Sequence, residues 1–516
     1  MESYDVVVLG GGSGSQVATA AAGEGYEAAV LEPGPLGGAC ITRGCVPSKA
    51  LIHRADLIEE IRRADRFGID AAVHDVAYAE ITSSIHDMVY EKADRQAESL
   101  QEADRVTLYE SAGRFVDERE IELEGGDADG DRIRGDQVVI AVGGRPTIPP
   151  IDGLDEVDYL TSDDALYLDE RPDELVIVGG GYIAAELGHF FAAVGADVSI
   201  VGRSDQLVPR ENADAANAVT RALGRRCEVC TGHEVEAVES DDGSVVVTAT
   251  TVDERVGGVP ADADDDRVEI TADELLLATG RRPNTDELGL DETDVETDDA
   301  GHVLTDDRLA TDAAGIWALG DVLAAQPYKH VADHEAEIVA ANVLGTLDHE
   351  GPSNGEAPGD ADAPGGGDAS ADGESSGNGE SIDRSAIPHA IFTKPRVASV
   401  GYTAAELDEE GVDYDTASVP YEVAPLGLIL DAEEAFVTVQ AASDGEILGC
   451  HVVGPQAETL IHEVVIAMRH GTGTLADVAE TVHVHPALNE VLLAAFDELS
   501  DRSFSTAPDW RDVAGH

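Results

Sequence analysis

The segment YDVVVLGGGSGS, residues Tyr4–Ser15, gives the clearest indication of the architecture of this chain. Its run of β-branched and apolar residues predicts a buried strand, its glycines predict a tight turn, and the alanine-rich segment that follows predicts a helix. In such a turn Gly10 permits the sharp bend, and Gly12 lets the backbone approach a pyrophosphate at the helix N-terminus. The stretch therefore predicts the first half of a dinucleotide-binding βαβ unit.

The next strand supports this prediction. Glu27–Leu31 is the second predicted strand and ends at Glu32, about 20 residues after the glycines, where a carboxylate would hold a ribose hydroxyl. Ser15 replaces the third glycine of the usual pattern, so we expect helix–strand packing at Ser15 to accommodate a hydroxymethyl group.

A second glycine turn follows a second apolar strand. Leu175–Val178 runs into GGGYIAAE, residues Gly179–Glu186, and two such turns in one chain imply two nucleotides, for which a flavin and a nicotinamide fit best. The next strand, Asp197–Val201, lacks the expected terminal acid. Arg203 stands just beyond it and would suit a 2′-phosphate.

Two of the five cysteines lie in GGACITRGCVPSKAL, residues Gly37–Leu51, at a C-x4-C spacing. Along a straight helix five residues rise ~7.5 Å, beyond the ~7 Å over which a disulfide forms. A disulfide between Cys40 and Cys45 therefore requires a broken helix, which Gly44 permits. The spacing favours a pair that cycles between disulfide and dithiol. A zinc half-site or two inert core cysteines are the alternatives, and zinc would need further ligands at suitable spacing.

Composition restricts the function classes. Asp and Glu number 105 against 32 Lys and Arg, a net charge of −73, and lysine occurs only at 49, 92, 329 and 394. Acids spread over the whole chain repel nucleic acid and anionic membranes and favour adaptation to high salt, with specific acidic-surface signalling as the alternative. The chain lacks an apolar run of ~18 residues and a disulfide-scaffold cysteine content, and its N-terminus enters a strand at once. We expect a cytoplasmic, halophilic protein that binds neither nucleic acid, membrane nor a metal.

The segment Gly37–Leu51 resembles the redox-active segment of the pyridine nucleotide–disulfide oxidoreductases and is most similar to that of dihydrolipoyl dehydrogenase. It departs from the family pattern at Ala39 and at 41–43 but at neither cysteine. VVIAVGG before Arg145 and LLLATGRRPN at 275–284 resemble the family's return strands, and the segment ending in Gly320-Asp321 resembles its second flavin motif.

The resemblance implies an α/β fold with two Rossmann-like domains, one for FAD and one for NAD(P), and a C-terminal α+β dimerisation domain. The expected divisions are 1–150 and 276–350 for the FAD-binding domain, 151–275 for the NAD(P)-binding domain and 386–516 for dimerisation. Between them, Gly351–Ser385 is rich in Gly, Ser and acids and poor in large apolar residues. We expect it to be a disordered surface insert without a catalytic role.

The resemblance also assigns roles. Cys40 would exchange with the substrate, Cys45 would lie against the flavin, and Lys49 and Glu186 would form an ion pair beside it. His485-Pro486 followed by Glu490 matches the family's H-P-x-x-x-E, which makes His485 the acid/base and Glu490 its partner and implies a homodimer, because this pair reaches the other subunit's disulfide. The expected cofactor-binding residues are Gly10, Gly12, Gly14, Ser15, Glu32, Lys49, Gly143 and Asp321 for FAD, and Gly179, Gly181, Tyr182, Ala184, Arg203 and Gly280 for NAD or NADP.

The first functional expectation is dihydrolipoyl dehydrogenase activity, in which NAD⁺ oxidises a dihydrolipoyl group, with a 2-oxoacid dehydrogenase complex as partner. The alternative is an NADPH-dependent reductase of a small thiol disulfide, similar to mycothione or glutathione reductase, which Tyr182, Ala184 and Arg203 favour. Mercuric reductase is disfavoured because no cysteine follows Cys450. A redox-inert FAD-binding protein is disfavoured because both cysteines and the His–Glu pair are present.

A second cysteine pair, Cys227 and Cys230, imitates a redox CxxC. Its alternating polar and apolar surroundings predict a strand, in which residues i and i+3 point to opposite faces. We therefore expect no disulfide there.

Overall fold

The computed structural model describes residues 1–252, 267–350 and 379–500 of the chain. The chain divides into two compact units, each assembled from three segments. The first unit comprises Met1–Pro47, His86–Pro146 and Arg281–Asp383, and the second comprises Ser48–Ile85, Thr147–Gly280 and Arg384–His516.

The described residues form strands and helices that are numbered here in chain order. The strands are β1 (Glu2–Leu9), β2 (Ala28–Leu31), β3 (Val106–Tyr109), β4 (Ala112–Asp117), β5 (Glu120–Glu124), β6 (Arg132–Ile140), β7 (Gly144–Pro146), β8 (Leu160–Thr161), β9 (Glu174–Val178), β10 (Asp197–Gly202), β11 (Glu228–Thr231), β12 (His233–Asp241), β13 (Ser244–Thr251), β14 (Arg267–Ala272), β15 (Glu274–Leu277), β16 (Arg281–Pro283), β17 (Ile316–Ala318), β18 (His389–Ile391), β19 (Val397–Gly401), β20 (Asp415–Pro420), β21 (Phe436–Ala441) and β22 (Ile447–Val453). The helices are α1 (Ser15–Gly23), α2 (Gly38–Thr42), α3 (Cys45–Arg62), α4 (Tyr78–Gln101), α5 (Ser162–Ala165), α6 (Tyr182–Val194), α7 (Ala213–Leu223), α8 (Lys329–Glu350), α9 (Ala404–Glu410), α10 (Pro425–Ile429), α11 (Ala457–His470), α12 (Leu475–Ala479) and α13 (Asn489–Leu499). None of these helices is long and apolar enough to cross a membrane.

The first unit is built on a seven-stranded sheet in the order β3-β2-β1-β6-β5-β4, with β17 also paired to β6. Strands β1, β2, β3, β6 and β17 pair in parallel, whereas β4 and β5 join in antiparallel fashion. Val8 of the central strand β1 pairs with Val30 on one side and Val139 on the other, and all three are fully buried. A parallel strand covered on both faces is a continuous apolar run, which explains the sequence of β1.

The second unit contains three sheets. A parallel sheet in the order β11-β10-β9-β15-β8 carries the second glycine turn. Strands β12-β13-β14, which lie between β11 and β15 along the chain, form an antiparallel sheet. The C-terminal part is a five-stranded antiparallel sheet, β18-β19-β22-β21-β20, whose core includes Val437, Cys450 and Phe496, all fully buried. The predicted α/β class is confirmed, and Cys450 is fully buried among the apolar side chains of this C-terminal core.

The predicted insert requires a correction at its end. Residues 351–378 lie outside the described residues, so the expectation of disorder there is not addressed. The expectation is wrong after them, because Glu380 donates to Asn342 Oδ1 at 2.8 Å and accepts from Asn342 Nδ2 at 2.9 Å. Ile382 N–H also donates to the Asp307 carbonyl at 2.8 Å. The buried Asn342 amide needs these partners, which the composition of the segment does not reveal.

Candidate active site

The first glycine turn leaves open backbone at the N-terminus of α1. Gly10 has φ +110°, and a Cβ there would lie 2.2 Å from the Ala141 carbonyl oxygen, so only glycine fits. A Cβ on Gly12 would meet only Gly38 Cα, at 3.8 Å, and one on Gly143 would meet nothing within 4 Å. The space in front of Gly12 therefore admits a phosphate, as the sequence predicts.

The expectation that Ser15 must be accommodated between helix and strand is wrong. The close approach occurs at Gly14, where a Cβ would lie 2.6 Å from Ala141 Cβ and 2.8 Å from Val8 Cγ1. Ser15 is half-buried, and its hydroxyl donates to the Gly12 carbonyl at 2.8 Å. A serine is tolerated at this position because its side chain caps the turn instead of entering the packed face.

Two carboxylates of the first unit lie where the sequence predicts flavin contacts. Glu32 accepts the N–H groups of Gly11 at 2.9 Å and Gly34 at 3.1 Å, and burial raises its pKa despite these bonds. Asp321 follows β17 in a short 3₁₀ turn, and burial raises its pKa although Arg281 Nε lies 3.9 Å away. Half-buried carboxylates, one of them bonded to the glycine turn at Gly11, favour hydroxyl donors, so these residues fit an FAD.

The second glycine turn repeats the first. Gly179 has φ +134°, and a Cβ there would lie 2.2 Å from the Ala278 carbonyl oxygen, whereas a Cβ on Gly181 or Gly280 would meet nothing within 4 Å. Helix α6 begins at Tyr182, and Ala184 is fully buried in it. The backbone N–H groups at this helix start can receive a second pyrophosphate.

Arg203 directly follows β10 and is exposed. Within the described residues it forms no ion pair. Arg210, at the far end of the same loop, is also exposed and was not identified from the sequence. Both arginines are exposed, so their positive charges are available to bind a phosphate.

The thiol pair lies at a helix break, as predicted. Helix α2 ends at Thr42, Arg43 leaves the helical conformation with φ −138° and ψ 18°, and α3 begins at Cys45. A Cβ on Gly44 would lie 3.0 Å from the Ala39 carbonyl oxygen, so the break uses a glycine.

Both cysteines are reduced thiols in this structure, with Cys40 half-buried and Cys45 exposed. The hydrogen bond between the two thiols, then burial, raises the pKa of Cys40, and the charge of nearby Lys329 opposes this rise. Adjacent thiols that share a hydrogen bond are within reach of disulfide formation.

Lys49 and Glu186 meet in the second unit. Lys49 Nζ lies 2.7 Å from Glu186 Oε2, and the Glu186 side chain is almost fully buried. The other carboxylate oxygen accepts the Phe392 N–H at 2.9 Å, and Lys49 Nζ stands 4.9 Å from the centre of the Phe392 ring. Phe392 thus orients the carboxylate and contacts the ammonium, a role that no local sequence pattern signals.

His485 and Glu490 also meet, with 2.8 Å between His485 Nδ1 and Glu490 Oε1. Glu490 Oε2 accepts the Ala487 N–H at 3.1 Å, which fixes the carboxylate. Since an ionised carboxylate only accepts, Nδ1 carries the proton of the neutral ring and Nε2 is an acceptor. The imidazole is 67% exposed, so Nε2 can serve a group brought to it.

One feature of the first unit was missed from the sequence. A cavity of about 500 Å³ extends from Gly11 and Gly12 to Cys40, and its wall includes Lys92 and Lys329. The scarcity of lysine is the signal that could have found it, because two of only four lysines line one cavity.

Two nucleotide cradles, a thiol pair that can be oxidised to a disulfide and a histidine held by a carboxylate define a nucleotide-dependent thiol oxidoreductase. The family described as pyridine nucleotide-disulphide oxidoreductase matches residues 4–340, and its dimerisation domain matches residues 387–496. The chain belongs to this family, whose members depend on FAD and NAD(P).

Its relatives carry more than one activity. Dihydrolipoyl dehydrogenase 3 of Haloarcula marismortui is 32% identical over 512 residues, covering 97% of both chains. The dihydrolipoyl dehydrogenase of Haloferax volcanii is 33% identical over 510 residues, again 97% of both chains. The mycothione reductase of Mycobacterium tuberculosis is 32% identical over 502 residues, covering 95% of this chain and 98% of that one.

Solved structures agree with the fold. LpdA from Mycobacterium tuberculosis superposes with a TM-score of 0.79 at 24% identity, covering 97% of this chain and all of that chain. The flavoprotein disulfide reductase RclA from Escherichia coli gives 0.77 at 22% identity, covering 96% of this chain and all of that chain.

Proposed function

We propose that this protein is a dihydrolipoyl dehydrogenase that couples oxidation of a small dithiol to reduction of NAD⁺ through Cys40 and Cys45. The observation that carries the proposal is the hydrogen-bonded thiol pair whose Cys40 member, and not Cys45, lines a substrate-sized cavity. The halophile relatives named dihydrolipoyl dehydrogenase support the choice of substrate.

A substrate thiolate attacks Cys40 Sγ of the oxidised pair, which forms a mixed disulfide and releases Cys45 as a thiolate. The second substrate thiol then displaces Cys40, so the substrate leaves oxidised and both cysteines are reduced by two electrons. FAD, when bound, supplies the route by which this electron pair reaches the nicotinamide as hydride. Lys49 and Glu186 would keep the ion-pair role that the family resemblance assigns to them, Glu32 and Asp321 would bind hydroxyl groups of FAD, and Gly179–Tyr182 would bind the nicotinamide nucleotide.

His485 is the base that accepts the substrate proton at Nε2, with Glu490 keeping the ring in that tautomer. We propose that it serves Cys40 and Cys45 of a second subunit in a homodimer, as the match to the family's dimerisation domain supports.

Mixed dimers test this arrangement. Cys40→Ser and His485→Gln subunits are each expected to be inactive alone. After subunit exchange, half of the dimers carry one intact site out of two, so about a quarter of wild-type activity should return. Absence of any recovery in demonstrated mixed dimers would contradict a shared site.

A second candidate is an NADPH-dependent reductase of a small-thiol disulfide, which the exposed Arg203 and the mycothione reductase relative favour. Steady-state rates with NAD⁺ and dihydrolipoamide, compared with NADPH and oxidised low-molecular-weight thiols in molar KCl, decide between the two. Arg203→Glu should lower kcat/KM for NADPH far more than for NADH if Arg203 binds the 2′-phosphate. Equal effects on both nucleotides would remove the second candidate's support from Arg203.

The reaction belongs in the cytoplasm, where thiols are kept reduced. The proposal extends to a high-salt cytoplasm, because the net charge of −73 accompanies relatives from salt-requiring organisms. Docking to a 2-oxoacid dehydrogenase complex and the division into the three predicted domains remain predictions.

A further inference from the structure

The cavity beside Cys40 has an apolar floor and a polar rim. Leu36, Ile41 and Leu100 contribute the apolar part next to Cys40. The rim comes from three helices of the first unit, with Gln16 from α1, Lys92 and Gln96 from α4, and Lys329 at the start of α8. A ligand that fits has a hydrocarbon portion near the sulfur and a polar group farther out.

One face of α4 supplies polar side chains to the rim of the cavity. Lys92, Gln96 and Ser99 recur at the helical period and line one side of the cavity. Gln96 is held against Gly37, where a Cβ would lie 2.6 Å from Gln96 Oε1. The wall is therefore a packed surface that presents donors toward the cavity, beginning with the ammonium group of Lys92.

The two lysines differ in their partners. Lys329 pairs with Asp333, whose Oδ1 also accepts from Ser13 Oγ at 2.9 Å and from Gln16 Nε2. Within the described residues no carboxylate lies at ion-pair distance from Lys92. The charge of Asp333 is thus offset by three donors, and Lys92 stays available to an anion.

We propose that this cavity is the thiol-substrate subsite and that Lys92, assisted by Lys329, recognises the carboxylate of a small anionic thiol. The inference rests on the proposed function, because it assumes that Cys40 exchanges with the substrate. It goes further by favouring free, carboxylate-bearing thiols over amide-linked ones, and it therefore counts against docking to a 2-oxoacid dehydrogenase complex. In a chain with 105 acids and four lysines, two lysines at one cavity make an otherwise repellent surface locally receptive to an anion.

Direct contact is required for this selectivity. At molar salt the Debye length is about 3 Å, so long-range attraction is screened and only a charge-assisted hydrogen bond survives. Such a bond is worth about tenfold in kcat/KM.

Dihydrolipoate and dihydrolipoamide make a matched test, because they share the dithiol and differ only in carboxylate against amide. For wild-type holoenzyme with saturating NAD⁺ in molar KCl, we expect kcat/KM to favour dihydrolipoate about tenfold. Lys92→Gln should bring the ratio near one, Lys92→Arg should retain it, and Lys329→Gln should lower it partly. Lys394→Gln is the matched control, since Lys394 pairs with Glu60 and does not line the cavity.

A second readout needs no turnover. Octanoate, which carries the carboxylate but no disulfide that could oxidise the thiols, should protect Cys40 of the reduced enzyme from a neutral alkylating reagent better than octanamide does, and Lys92→Gln should abolish the difference. Equal rates with the two dithiols and equal protection by octanoate and octanamide would overturn the inference and leave the proposed function standing. Failure to oxidise either dithiol, with selective protection intact, would overturn the proposed function alone.

Measuring the flavin content of the variants tests one remaining alternative explanation for the two lysines. Gly11 and Gly12 also line the cavity, so the lysines could instead neutralise a flavin pyrophosphate. Loss of bound flavin in Lys92→Gln, without a change in the dihydrolipoate to dihydrolipoamide ratio, would overturn the substrate assignment.

Discussion

Cys40 is the sulfur proposed to exchange with the substrate, but its raised pKa keeps it in the less reactive thiol form. Its neighbour Cys45 and partial burial raise the pKa of Cys40, and Asp333 raises it further while Lys329 lowers it. The reduced pair therefore gives up its two protons in separate steps. At neutral pH Cys40 stays protonated unless a base removes the proton, which gives a physical reason for a histidine held in the accepting tautomer.

This coupling predicts the effect of removing one sulfur. Cys45→Ala eliminates both the hydrogen bond and the charge that raise the pKa of Cys40, so the thiolate fraction of Cys40 should rise and its pH profile should move to lower pH. Alkylation of Cys40 by a neutral reagent, followed by peptide mapping across pH, measures the shift. Cys227→Ala, a buried cysteine elsewhere in the chain, is the control. An unchanged profile would show that Cys45 does not set the pKa of Cys40.

His485 makes the second prediction at this scale. His485→Gln should slow thiol–disulfide exchange by roughly 10²–10⁴-fold, the usual contribution of a positioned acid/base. Hydride exchange between reduced nicotinamide and a nicotinamide analogue, which does not involve the substrate proton, should be retained. Glu490→Gln should have a smaller effect, because it frees the ring without removing Nε2. Equal loss in both half-reactions would mean that His485 is structural.

At the scale of elements, α3 is fixed by a polar network in the second unit. Asp56 accepts from Arg396 at 3.0 Å and lies 3.2 Å from His189 Nε2, and His189 is 1% exposed. Arg226 Nη1 stands 3.4 Å from the other ring nitrogen. Because a guanidinium only donates, Nδ1 accepts and the Nε2 proton points to Asp56. Burial raises the pKa of Asp56, but its hydrogen bonds with His189 and Arg396 outweigh burial and bring the pKa below its ordinary value.

The network predicts a stability change. Asp56→Asn turns an amide donor toward His189 or Arg396 and should lower the free energy of unfolding by roughly 1–3 kcal/mol, the cost of an unsatisfied buried partner. The folded pKa of Asp56 is below the unfolded one, so its contribution is present above about pH 4 and is lost as pH falls further. The difference between the unfolding midpoints of Asp56→Asn and the wild type should therefore become smaller below about pH 4. Asp70→Asn, at an exposed position, is the control and should change little. A difference independent of pH would contradict an electrostatic origin.

Which elements the sequence could predict follows from the range of the interactions. The glycine turns at Gly10 and Gly179 are local rules of sterics, so strand, turn and helix could be read directly. His485 and Glu490 are five residues apart and form one motif. The Asp56 network joins positions 133 and 340 residues apart, and no local pattern pairs them. Ser15 was misjudged because the close-packed position, Gly14, is set by the crossing of helix and strand.

For the whole molecule, the four lysines follow one rule. Lys49, Lys329 and Lys394 each pair with a carboxylate, and Lys92 lines the cavity at Cys40. Lysine remains where a specific partner or ligand site needs it, while the general surface is acidic. Composition alone indicated the acidic surface; the location of the lysines required the fold.

The net charge of −73 should make the stability of the fold depend on salt. Self-repulsion among surface carboxylates destabilises a compact state, and raising salt from about 0.1 M to about 1 M shortens the Debye length from about 10 Å to about 3 Å. The thermal midpoint of the holoenzyme should therefore rise steeply over this range of KCl and flatten above it. Sucrose at equal osmolality is the control, because it favours compaction without screening charge. Equal stabilisation by sucrose and KCl, or a midpoint insensitive to KCl, would mean that charge repulsion does not limit the stability of this fold.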